Sequence, residues 1–141
     1  MNEFEKANTQ VISLSNVIER LKKYKNYKEF NFIEKLPFIA EYMLDNEFKQ
    51  YIKRIYIFGS YVCGKPRKDS DIDFCVIIDD SIADRKNEVY FNIEKRLGDE
   101  NILPNDLLVY NNKDFEKYYN LRGIENLIFK KGALIYEQRI Q

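Results

Sequence analysis

The sequence predicts an α+β fold, a small mixed β-sheet with helices packed mainly on one face. Three observations lead there. Short apolar runs at residues 55–58 and 74–78, and a β-rich run interrupted by one acid at 102–110, are bounded by turn residues and have strand length. Longer stretches between and around them place apolar residues three and four apart, as amphipathic helices do. No repeat or linker divides the 141 residues, which suffice for one hydrophobic core.

Composition narrows the functional classes. Lys plus Arg equals Asp plus Glu at 23 each, so no overall basic field draws the chain to nucleic acid, and direct nucleic-acid binding is not expected. Histidine is absent, which removes His-based triads and His-ligated zinc and leaves carboxylates or water as proton acceptors. Cys63 and Cys75 lack metal-ligand spacing and read as free thiols, with Cys75 facing the core. No signal peptide or apolar membrane span is visible, so a cytoplasmic protein with no membrane partner is expected.

Taken in order, residues 8–23 read as a helix with Val11, Leu14, Ile18 and Leu21 inward, ending in a basic stretch of Arg20, Lys22, Lys23, Lys25 and Lys28. Contact with RNA or an acidic partner is one reading of that stretch; a solvated helix end is the plainer one. Residues 37–51 predict a second helix with Pro37 in its first turn and Ala40, Met43, Leu44 and Phe48 buried. It leads into a strand at 54–58. A second strand follows at 71–78, then a helix at 83–97 with Asp80 or Ser81 as N-cap, Val89, Ile93 and Leu97 inward, and Gly98 as its stop. The run ending at Tyr110 supplies a third strand, and Asp114 looks like the N-cap of the next helix. A helix from Ile124 to a stop at Lys131 and Gly132, then a short strand at 133–136, complete the chain.

Chemistry concentrates where the first two strands meet. Phe58-Gly59-Ser60-Tyr61 ends one strand, and Ser70-Asp71-Ile72-Asp73-Phe74 opens the next, with ten residues between Ser60 and Asp71. On a strand Asp71 and Asp73 face the same way, with Cα atoms roughly 7 Å apart. Two carboxylates side by side repel unless a cation lies between them, and Mg²⁺ suits such a pair because it shares its shell with water and substrate phosphates. Gly59 and Ser60 offer close-approaching backbone and a hydroxyl to phosphate oxygens, and Lys65, Arg67 and Lys68 add charge of the right sign. Taken singly, an Asp-x-Asp is a solvated strand edge and a Gly-Ser an ordinary turn. Asp106, in the third strand, shares a face with Leu108 and Tyr110, so its position calls for a cation, a proton or a strand end.

The Gly-Ser, ten-residue spacer and Asp-x-Asp resemble the signature of the nucleotidyltransferase superfamily typified by DNA polymerase β, and in particular its minimal, single-domain members. The resemblance spans about residues 37–136. It implies the polymerase β-like nucleotidyltransferase fold for residues 31–141, with residues 1–30 left as an N-terminal helical arm. It further implies Asp71, Asp73 and Asp106 as catalytic and metal-binding acids holding two Mg²⁺ ions, Gly59, Ser60, Lys65 and Ser70 as contacts to the nucleotide, and ATP as substrate. Where many relatives carry a base just before the second glycine, this chain has Cys63. The resemblance to minimal nucleotidyltransferase antitoxins implies AMP transfer to a tyrosine of a HEPN-domain RNase toxin. A small-molecule nucleotidyltransferase, or a non-catalytic partner-binding antitoxin with a vestigial nucleotide site, are the alternatives, and oligomeric state stays open.

Overall fold

The computed structural model describes residues 12–24, 27–29, 33–62, 66–67, 69–118, 123, 128 and 131–139. Along the chain run β1 (Ile12–Ser13), α1 (Leu14–Lys22), α2 (Ile39–Leu44), β2 (Ile52–Phe58), β3 (Ile72–Ile78), α3 (Lys86–Asp99), β4 (Asn105–Asn111), α4 (Asn112–Tyr118) and β5 (Ala133–Glu137), with 3₁₀ turns between several of them. The strands form one mixed sheet in the order β1-β5-β2-β3-β4. β2 lies antiparallel to β3 and β5, whereas β3 and β4 are parallel and are joined through α3.

Side chains of β3 alternate between two apolar clusters, as a pleated strand requires. Ile72, Phe74, Val76 and Ile78 belong to the larger core with Val17 and Leu21 of α1, Ile39 and Met43 of α2, and Val89, Ile93 and Leu97 of α3. Cys75 and Ile77 face the opposite way, into a smaller cluster with Tyr56, Phe58, Phe115 and Ile128. The fold is therefore α+β with three of the four described helices on one face, as the sequence predicts. Covered on both sides, β2 and β3 are buried over nearly their whole length, which explains why each reads as a continuous apolar run.

Several boundaries differ from the expectation, each for a local reason. The first helix begins at Leu14, because Ile12 and Ser13 pair in parallel with Ala133 and Leu134 of β5 and the Ser13 hydroxyl oxygen accepts the Asn16 N–H as N-cap. The expected helix at 37–51 ends at Leu44, since the Asn46 side chain takes over backbone partners: its amide donates to the Met43 carbonyl and its oxygen accepts the Phe48 N–H. The helix expected at 83–97 begins at Lys86 after Arg85, which makes no side-chain cap bond; Asp79, not Asp80 or Ser81, caps the preceding 3₁₀ helix Asp80–Arg85, accepting the Ser81 N–H at 2.8 Å. Asp80 instead crosses to the start of α4, accepting from the Lys113 N–H and the Asn111 side chain, so the capping role expected of Asp114 is filled from a distant turn. Gly98 does not stop α3. Asn101 does, in a left-handed conformation with φ 57°, with the Ile102 N–H on the Leu97 carbonyl and the Asn101 N–H on that of Gly98. The helix expected from Ile124 lies largely outside the described residues.

Candidate active site

Topology gathers the site. An antiparallel β2–β3 pair brings the end of β2 beside the start of β3, and a parallel crossover through α3 returns the start of β4 to the same end of the sheet. Asp73 is thus flanked in register by Phe58 on one side and by Asp106 on the other. Partners in a parallel pair share a face, so both carboxylates lie on the face of the smaller cluster, at its open end.

Gly59 begins the 3₁₀ turn Gly59–Tyr61 with φ +77°, a conformation disfavoured for other L-residues. A Cβ here would run into the Asp73 carboxylate, whose Cγ lies 3.1 Å from that position. The absent side chain is what lets the acid rest against the backbone of the Gly-Ser turn. Tyr61 is almost fully buried, and its hydroxyl donates to the Ser70 carbonyl at 3.4 Å, tying the turn to the approach to β3. Burial, then the charges of Asp69 and Asp71, push this hydroxyl up to about 12, so it stays a donor. Ser70 closes its own loop, its hydroxyl oxygen accepting the Arg67 N–H at 2.7 Å.

Electrostatics link the three acids. Burial raises the Asp73 carboxyl to about 6, with the charges of Asp106 and then Asp71 adding to it. Asp71, one residue ahead of β3, and Asp106 are exposed, while Asp73 is partly covered. Ser60 sits in the turn beside them. Lys65, Cys63 and Lys68 lie outside the described residues. Of the basic stretch, Lys22 and Lys28 line a groove with Ile18, Tyr27 and Ile33, whereas Arg20 reaches the main-chain oxygen of Tyr61 at 3.4 Å, and Lys25 lies outside the described residues.

A fourth acid that no sequence signal marked lies within reach of the charge on Asp106. Glu94 of α3 is raised by burial and then by the charge of Asp106, and its Oε1 is buried with no hydrogen-bond partner among the described residues. It follows the inward Ile93 by one position, where helical periodicity predicts only a flank.

The donor set consists of carboxylate oxygens around a spot where they repel one another, the chemistry that a hard divalent cation satisfies. Among the described residues no three His, Cys, Asp or Glu side chains close a metal shell by themselves. Mg²⁺ fits such a partial set, because it takes one or two carboxylates and completes its shell with water and phosphate oxygens. Among the described residues no helix is long and apolar enough to cross a membrane.

Strand ends, Gly-Ser turn and acids thus converge at one end of the sheet. Residues 39–141, well over half of the chain, match the family described as Polymerase beta, Nucleotidyltransferase, and the chain belongs to that family. By that membership it is a nucleotidyltransferase, of a family that typically uses nucleoside triphosphates with divalent metals. Among curated proteins, none matches the chain.

Proposed function

We propose that the protein transfers AMP from ATP to a hydroxyl acceptor in the cytoplasm, the acceptor being a tyrosine of a HEPN-type RNase toxin. The observation that carries the reading is the placement of Asp73 opposite Asp106 on the neighbouring strand, within reach of the charge on Asp71 and against the bare backbone of Gly59. Asp71 and Asp73 would hold Mg²⁺, with Asp106 sharing a second ion. When bound, these cations supply charge to the triphosphate and acidify the acceptor hydroxyl.

The chain's own residues do the rest. Gly59 and Ser60 present main chain and a hydroxyl to phosphate oxygens, with Lys65 and Ser70 as further contacts. The acceptor oxygen attacks the α-phosphorus; a new O–P bond forms as the bond to the bridging α,β-oxygen breaks, and pyrophosphate leaves in line. With histidine absent from the chain, Asp106 takes the acceptor proton. The toxin as acceptor rests on the resemblance to antitoxins of this type, because motif and fold define the reaction and not its acceptor.

The test incubates the protein with α-labelled ATP, Mg²⁺ and the HEPN protein. Label on a tyrosine of that protein, lowered about 100-fold or more by Asp73→Asn, is the expected result. Label in a soluble product would replace the protein acceptor with a small molecule. No label, with toxin neutralisation unchanged in Asp71→Asn and Asp73→Asn, would reduce the site to a vestige.

A further inference from the structure

We propose that Arg20 is a positioning residue for the Gly59–Tyr61 turn, so that the N-terminal helix forms part of the nucleotide site; the nucleotide half of this rests on the function proposed above. Helix α1 precedes residue 39, where the family match begins. It is nonetheless seated firmly. Ser13 caps it, β1 leads into it from the sheet edge, and Val17 and Leu21 are buried in the larger core.

From this seat the Arg20 Nη1 donates to the main-chain oxygen of Tyr61 at 3.4 Å, bridging 41 residues of sequence. Tyr61 is then held at both ends, its carbonyl by α1 and its hydroxyl by the Ser70 carbonyl. The same turn is closed by the Val62 N–H on the Gly59 carbonyl at 3.0 Å, and it begins at the residue against which the Asp73 carboxylate rests. A shift of Tyr61 therefore moves the Gly59 and Ser60 backbone relative to the acids. The donor is a charged guanidinium, so even at 3.4 Å it biases the turn toward the geometry that keeps the Tyr61 oxygen facing α1. A phosphate site needs that bias, because misplacement of its donors by about 1 Å is felt in binding and rate.

Two readouts test this in the full-length chain. In Arg20→Gln, amide hydrogen exchange at Val62 is expected to speed up about tenfold while β3 and β4 amides keep their protection and Tm is unchanged. The KM for Mg-ATP is expected to rise about fivefold with kcat within about twofold, because an orienting contact is lost and no reacting group is. Arg20→Lys should recover part of the KM, since it keeps the charge and loses the planar fork. Lys22→Gln should change neither readout. Unchanged exchange at Val62, an equal effect of Lys22→Gln, or a fall in Tm that tracks the loss of activity would overturn the role given to Arg20. Faster exchange at Val62 in Arg20→Gln together with a wild-type protein that binds no nucleotide would overturn the proposed function and leave the hold of Arg20 on the turn standing.

Discussion

Burial, reinforced by Asp106 and Asp71, lifts the Asp73 carboxyl from an ordinary 3.8 to about 6. The folded chain thus binds this proton more tightly than the unfolded chain does. Its stabilising contribution is whole below about pH 3.8 and is lost as pH rises through about 6. In Asp73→Asn no ionisation occurs, so the variant's Tm relative to wild type is expected to climb between about pH 4 and 6.5, as thermal scans across that window would show. In the proposed role Asp73 exchanges this proton for a cation, so the Mg²⁺ affinity of the nucleotide-free protein should weaken as pH falls below about 6, as metal titrations at about pH 5 and about pH 7 would show. Gly59 is the second residue on which the site turns. Gly59→Ala sets a methyl group against the Asp73 carboxylate at φ +77°, and we expect a loss of about 1–3 kcal/mol in denaturant titrations together with loss of transfer.

Helices and strands were legible in the sequence to different depths. The runs ending at Phe58 and beginning near Phe74 announced β2 and β3 because strands covered on both faces leave nothing but apolar side chains to read. Ends of helices were less legible, since their caps arrive from elsewhere. Asp80 serves α4 across 33 residues, and no local pattern records such a partner. Asn101 was hidden by Gly98, the residue that usually stops a helix, although nothing lies within 4 Å of a Cβ at Gly98 and its freedom is not used. Asn101→Gly should therefore hold or raise stability by a few tenths of a kcal/mol, and Asn101→Val should lower it by about 1–2 kcal/mol in urea melts. In the candidate site, Gly59, Ser60, Asp71 and Asp73 could be grouped from the sequence because one hairpin carries them all. Asp106 stood out by its position but took the role of third acid only from the resemblance, and no role could be read for Tyr61 or Glu94, because burial and through-space charge are properties of the packed sheet.

For the molecule as a whole, the first helix is structural as well as adjacent to the site. Leu21 of α1 has no exposed surface and shares a core with Leu36, Ile39 and Ala133. Leu21→Ala is expected to cost about 2–5 kcal/mol, read by equilibrium unfolding of the full chain. The parallel pairing of β3 with β4 has a consequence of its own. Because Asp73 and Asp106 stand opposite each other across one rung, the span between them is fixed by the interstrand spacing of about 4.8 Å and owes nothing to the 32 residues that separate them in sequence. The connecting helix and its turns are free to lengthen, shorten or be rewritten over evolutionary time while this gauge stays the same. A slip of a single rung, by contrast, would bring Asn105 or Leu107 opposite Asp73 and disarm the enzyme at a stroke, with scarcely any change in its outline.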